Sequence, residues 1–392
     1  MGYIELLKNN IIIRQLSLIQ IFAYFGAWFS HVAIYTILVQ LGVSAFLISL
    51  VVAMNFLPSI LLSPFTGSLV DSLPLKKFMI VLLSIEVIMT ICFFYINTIN
   101  DIYLLMLLLF IRMASASTFF TSEMALLPKL LDDKLLSKAN EIHSIIWSFT
   151  FTAGMALGGI VVHNFGIKSA FILDIIFLLI AISILINTKF DIDFVKSTQN
   201  MYLDIKDGLN YIKNNKHLLH LIFLHSTIGF TAFDSLVTLL ADYNYKYIIS
   251  IPLAIGITNG IRAFALMIGP FLITNWINKQ RLFYLFIIQG ASIFLWSCLQ
   301  YNFYLGLFGV FITGFVTTTL WSYTYAMLQE EIHKDFLGRV LSYNEMIFMS
   351  INILTTLFIG FMATFVSLDI ITKILAFAFI LTAIYYRRYH LG

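Results

Sequence analysis

The sequence predicts an all-α membrane protein of twelve transmembrane helices in two pseudo-symmetric six-helix bundles, and three observations carry that expectation. The chain is 60% hydrophobic and only 11% charged, with a mean hydropathy of +0.94. A soluble fold of 392 residues could not hide so much apolar surface, because roughly half of a folded surface must face water. Twelve apolar runs are each long enough to cross a bilayer core about 30 Å thick, which takes about 20 helical residues. Finally, one long polar segment, 189–216, separates residues 1–188 from residues 217–392 and leaves six runs on each side.

The runs lie at 14–40, 43–70, 77–97, 101–129, 136–163 and 167–188, then at 217–242, 251–277, 282–299, 302–328, 338–365 and 368–387. Turn-forming stretches such as QLGVS, NTIND, HNFGIK and VSLD part them. The ten-residue alternating segments of a membrane barrel do not occur. The opening MGYIELLKNN lacks the short apolar core and small-residue cleavage site of a signal peptide, and reads as the start of the first helix. Leu6 stands where a myristoylation motif needs Ser or Thr. In the polar segment, Met201, Ile205, Leu209 and Ile212 recur at helical spacing with Asp204, Lys206, Asp207 and Lys213 between them. That pattern predicts an amphipathic helix, either along the membrane surface or serving as a plain solvated linker.

Orientation follows from the 23 Lys and Arg. With the N-terminus inside, only Lys168, Lys246 and Lys373 fall at the outer ends, and Arg112 and Arg262 lie within the membrane. The opposite orientation would reverse this bias, so both termini are expected in the cytosol. The net charge of +3 and the lack of a basic soluble module exclude nucleic acid as a partner. Cys92 and Cys298 lie inside apolar runs and are expected to be buried thiols without metal-ligand spacing. No phosphate-binding glycine loop, zinc motif or nucleophile elbow is present, so neither an enzyme nor a bound cofactor is expected.

The loop between the second and third runs, GSLVDSLPLKKF, concentrates unusual chemistry. Gly67 permits close helix approach, Pro74 forces a turn, and Lys76 and Lys77 hold the loop in the cytosol. Asp71 is a carboxylate free to face an opposing helix N-terminus, whose dipole favours negative charge. This stretch resembles the loop 2–3 signature of the major facilitator superfamily, with Gly67, Asp71, Lys76 and Lys77 matching. Ser72, Pro74 and Leu75 depart from its Arg, Gly and Arg. Three further stretches are similar to that family's motifs. They are the fourth-helix arginine at Arg112, the fifth-helix glycines at Gly154, Gly158 and Gly159 with Met155 in the place of proline, and Gly338, Arg339 and Val340 opening the eleventh helix. In order and spacing they resemble the exporter subfamily of the enterobactin exporter and the macrolide efflux proteins.

The resemblance implies a cavity between the two halves, lined by helices 1, 2, 4, 5, 7, 8, 10 and 11, and a monomer working by alternating access in a bacterial inner membrane. It also implies a latch between Asp71 and the start of helix 11 at Gly338 and Arg339. The expected function is proton-coupled export of a lipophilic drug-like or siderophore-like small molecule, an antiporter. An importer or a lipid flippase of the same fold is the alternative.

Ionisable groups inside helices cost about 2.5–3.5 kcal/mol each at the membrane centre and need a reason to be there. They are His31, Glu86, Arg112, His143, Asp174, His225, Asp234, Arg262 and Glu345. Counting from the turn near residue 99 puts Glu86 and Arg112 at one depth (99 − 86 = 13 and 112 − 99 = 13). Counting from residue 248 does the same for Asp234 and Arg262 (248 − 234 = 14 and 262 − 248 = 14). Each pair is either a structural tie or a proton-coupling device, and Asp234 is also a candidate for an outer gate. Glu345, near the cytosolic end, is a candidate for gating, simple snorkelling or proton coupling, and Asp174 is expected to be satisfied locally. Tyr24, Trp28, His31 and Tyr35 recur at helical spacing and form a polar-aromatic stripe, which either packs on a neighbour or faces substrate.

Overall fold

The structure is a computed structural model, and it describes residues 3–131, 133–189, 201–333 and 336–391. Twelve helices in it are long and apolar enough to cross a membrane, and no strand occurs among the described residues. The first six are α1 (Ile11–Gln40), α2 (Ala45–Ala53 continued by Leu57–Ser72), α3 (Leu75–Cys92), α4 (Ile102–Leu130), α5 (Asp133–Phe165) and α6 (Ile167–Asn187). The second six are α7 (Lys216–Ser226 continued by Asp234–Leu240), α8 (Ile251–Ile273), α9 (Lys279–Leu299), α10 (Phe303–Glu331), α11 (Leu337–Met362) and α12 (Leu368–Tyr386). Asn10, Asn215, Asn278 and Asn302 start α1, α7, α9 and α10, each accepting a backbone N–H three residues on. Such caps satisfy amides that the first turn leaves without partners.

Within the first half, α1 lies between α5 and α6, while α3 packs on α4 and α6. Within the second, α8 packs on α10 and α9 packs on α10 and α12. The halves meet through α5 with α8, α2 with α11, and α1 with α8. Glycines bring these backbones together. A methyl group on Gly256 of α8 would lie 2.6 Å from the Met155 carbonyl oxygen and 2.8 Å from the Gly159 Cα of α5. Gly360 of α11 likewise leaves no room for a methyl beside Ser49 of α2. Both contacts lie toward the end opposite the termini, called here the far end.

The apolar cores follow the same division. At the far end, Val32, Tyr35, Val51 and Phe151 of the first half share one core with Phe233, Ala254 and Ile359 of the second. At the end bearing the termini, Leu16, Met79, Phe119, Ile142 and Leu178 form a separate core within the first half alone. The molecule is therefore sealed between its halves at the far end.

Two crossings are interrupted. Helix α2 pauses at Met54–Phe56, and α7 passes through a tight 3₁₀ turn at Thr227–Thr231 before resuming at Asp234. The polar segment contributes a helix at Met201–Asn214, as its periodicity predicts, while residues 190–200 lie outside the described residues. This linker helix packs against α11 and the first part of α7. Ile212 is buried, Tyr211 stacks on Phe336 with ring centroids 4.4 Å apart, and the Tyr211 hydroxyl accepts the His333 N–H at 3.1 Å. Its described face thus meets protein at the start of α11. Cys92 is half-buried and Cys298 is exposed, so the expectation of two buried thiols is corrected: a thiol facing lipid needs no burial in protein.

Candidate functional site

The break in α7 builds the central site. Backbone groups at a helix break lose their partners, and inside a membrane they must find new ones. At the break the Thr231 carbonyl accepts the Phe233 N–H at 2.8 Å and, with its second lone pair, Nη2 of Arg262 from α8 at 2.7 Å. The same guanidinium lies over the Phe233 ring at 5.4 Å and places Nη1 3.8 Å from Asp234 Oδ1. Asp234 begins the resumed part of α7, where its charge sits on the positive end of the helix dipole. The pair is not sealed: side-chain exposures are 12% for Arg262 and 24% for Asp234. From the other half, Asn55, in the pause of α2, donates to the Tyr35 hydroxyl at 3.1 Å.

The stripe on α1 serves several neighbours. Trp28 packs on Phe151 of α5 at 4.4 Å and its indole N–H is buried without a partner. His31 donates from Nδ1 to the Ala27 carbonyl at 2.8 Å and lies between the rings of Trp28 and Tyr35. Tyr35 is buried, whereas Tyr24 and Trp28 are half-buried. The Tyr24 hydroxyl turns away from this group and donates to Glu123 of α4 at 2.8 Å.

Arg112 corrects one expected pairing. Its partner is Asp174 of α6, with Nη2 2.5 Å from Oδ2 and both side chains buried. Ser30 of α1 donates to the same oxygen, and the guanidinium also lies over Phe93 at 5.7 Å. Glu86, buried on α3, is not its ion-pair partner, and Asp174 is more than a locally satisfied polar group. Equal depth left the angle around the helix axis open, and that angle turns Arg112 toward α6. The Arg112–Asp174–Ser30 group ties α4, α6 and α1 together as a structural unit.

Glu345 is half-buried on α11, next to Asn344, whose amide is buried with no partner among the described residues. Of the residues expected to form a latch, Gly67 and Asp71 fall on α2, but their side chains lie outside the described residues. Lys76 donates to the Ile186 and Thr188 carbonyls at 2.8 and 2.7 Å, closing the end of α6, and Lys77 is exposed. Gly338 is exposed, while Arg339 lies with its guanidinium over Phe336 at 5.7 Å and its stem beside Gly208 of the linker helix.

Sequence reasoning passed over Glu123. This carboxyl is fully buried on α4, near Gln20 and His143, which hydrogen-bond each other. Glu123 lies 123 − 112 = 11 residues beyond Arg112, close to three full turns, so both occupy one face of α4. That register was the signal that could have found it.

Twelve crossings, two halves sealed at one end and half-accessible charges at their junction define a membrane carrier rather than an enzyme. The sequence profile of the Major Facilitator Superfamily matches residues 16–299, and the chain belongs to that family. Macrolide efflux protein A of Streptococcus pyogenes is 24% identical over 312 residues, which cover 76% of each chain. Among solved structures, the nucleoside transporter NupG matches with a TM-score of 0.77 at 13% identity, covering 96% of this chain and 98% of that one. A bacterial homologue of the human lysosomal transporter Spinster, in an inward-facing, unoccupied conformation, matches at 0.73 and 12% identity over 97% and 95%. At such identities the structural likeness is one of fold.

Proposed function

We propose that the chain is a proton-coupled exporter of a lipophilic drug-like or siderophore-like small molecule, acting as a monomer in a bacterial inner membrane. The observation that carries the coupling is the Asp234–Arg262 pair, charged, half-accessible and built on the break of α7. When Asp234 is ionised, Arg262 has its counter-ion and α7 is tied to α8. Protonation removes that counter-ion and frees the two helices to repack. A proton drives the transition only if its affinity differs between the two conformations, and an ion pair whose partners separate in one of them provides such a difference. Similarity to macrolide efflux protein A supports outward transport of a bulky amphipathic solute. Both termini are then cytosolic, the sealed far end faces outside, and Trp28 and His31 belong to the substrate surface. Asp71 and the start of α11 act as the cytosolic latch.

The test is transport of a macrolide by the purified protein in vesicles of defined orientation. Asp234→Asn is expected to abolish movement driven by a pH gradient while substrate binding and downhill exchange persist. Accumulation against the gradient by the Asn protein, still dependent on pH, removes Asp234 from the coupling role. Net uptake toward the cytosolic side supports an importer instead.

A further inference from the structure

Glu123 has no part in the scheme above, although it is a membrane carboxylate as fully buried as Asp174. It is fully buried on α4. Oε2 accepts the Tyr24 hydroxyl at 2.8 Å, and Oε1 is buried with no partner. Arg112, the buried cation on the same face, is held by Asp174. The neighbouring helices bring no other described cation to it. Helix α1 supplies Tyr24 and Gln20 and α5 supplies His143, while Glu86 of α3 lies within electrostatic reach of Tyr24 and adds no positive charge. On α2 the one charged residue is Asp71, whose side chain lies outside the described residues. Gln20 is within hydrogen-bonding reach of both Glu123 and His143 Nδ1. His143 Nε2 is buried without a partner, and the rings of Phe120 and Tyr24 cover the imidazole at 5.3 and 6.0 Å.

A carboxylate sealed from water with no counter-ion is among the costliest groups a membrane protein can hold. Neutralising it takes a positive charge, and full coverage leaves room for nothing as large as an organic ammonium. Tyr24 and Tyr35 are 35 − 24 = 11 residues apart on α1, so this cluster lies about 16 Å along the helix from the Asp234 region, toward the end bearing the termini. We propose that Glu123 is a second proton-binding site, separate from Asp234–Arg262, holding a proton at Oε1 while Tyr24 donates to Oε2. The carboxyl passes from charge −1 to zero as it takes the proton from water on the terminus-bearing side. It returns the proton when α1, α4 and α5 shift and readmit water. His143 and Gln20 position the acid, with Gln20 linking the two. The role in transport rests on the proton-coupling reading; occupancy by a proton does not.

Infrared difference spectroscopy between acid and alkaline buffer tests occupancy directly. The expected result is a carboxylic-acid carbonyl band that is absent from Glu123→Gln, retained in Asp234→Asn, and shifted in Tyr24→Phe, which removes one hydrogen bond to the acid. An unchanged band in folded Glu123→Gln overturns the proposal. If that variant does not fold, a hydrophobic carbodiimide on the wild-type protein replaces it. An adduct at Glu123 that declines as pH rises supports the site, and no adduct in acid overturns it. In vesicles, Glu123→Gln is expected to lower pH-driven transport roughly tenfold or more while exchange continues. Loss of the band in Glu123→Gln together with intact coupling in Asp234→Asn sinks the Asp234 reading and leaves Glu123 standing; a band that survives Glu123→Gln while Asp234→Asn loses coupling sinks Glu123 alone.

Discussion

Gly256 is the position where a single methyl group should move the conformational equilibrium. An added Cβ would sit 2.6 Å from the Met155 carbonyl oxygen and 2.8 Å from the Gly159 Cα. Ordinary contacts are about 3.3–3.6 Å to oxygen and about 3.5–4.0 Å between carbons, so α5 and α8 must part by roughly 1 Å. The obstacle on both sides is backbone, which cannot rotate away as a side chain can. Overpacking of this kind costs about 1–3 kcal/mol. Alternating access requires α5 and α8 to separate at the far end in the opposite state, where the methyl meets no such obstacle. The cost therefore falls on the state sealed at that end, and the ratio of the two states should change by about 5- to 150-fold. Spin labels at Lys168 and Tyr247, both exposed beyond the far ends of α5 and α7, report the change in a background lacking Cys92 and Cys298. Gly256→Ala is expected to populate a longer inter-label distance that the parent shows weakly. An unchanged distance distribution in a folded protein refutes the idea that this contact opens during the cycle.

Removing one member of the Arg112–Asp174 pair leaves a buried charge uncompensated, at a cost of about 3–5 kcal/mol. Thermal unfolding in detergent should show Asp174→Asn and Arg112→Met each well below the parent. The double replacement Arg112→Met with Asp174→Leu should recover much of the loss, and additive losses would contradict a paired role. Tyr211→Ala removes the stack on Phe336 and the acceptor for the His333 N–H. It should raise proteolytic cleavage within the linker helix without altering far-end distances; cleavage at the parental rate would show that the helix is held by other contacts.

The number and order of the crossings were legible because length and apolarity alone decide them, and boundaries fell within a few residues of the runs. Lateral arrangement was harder to read. Counting residues from a turn gives depth, and depth brought Asp234 level with Arg262, which the structure places 3.8 Å apart. The same arithmetic brought Arg112 level with Glu86, yet Arg112 turns to Asp174 because depth carries no information about azimuth. Glu123 stayed hidden for a related reason. It stands in TFFTSEMALLPK, close to the end of its run on the side bearing the termini, where a carboxylate ordinarily reaches water along its own stem. Only packing against α1 and α5 seals it. The interruption of α7 had weak local signals as well: Gly229 lies in the 3₁₀ turn, but no proline marks the break.

That interruption also bears on how the chain enters the membrane. Among the described residues, the α7 crossing is the least apolar of the twelve and the most buried inside the protein. It carries Lys216, His217, His220, His225, Asp234 and Asp242, and its two straight pieces have only 11 and 7 residues, each too short to span alone. An aspartate at the centre of an inserting helix costs about 2.5–3.5 kcal/mol, close to what several leucines return. Left to its own hydrophobicity, α7 is a poor candidate for partition into lipid. During synthesis Asp234 must therefore wait for Arg262, which emerges 262 − 234 = 28 residues later with α8. The two helices are expected to enter the bilayer as a hairpin, with the charge pair assembled at the translocon before either side chain meets hydrocarbon.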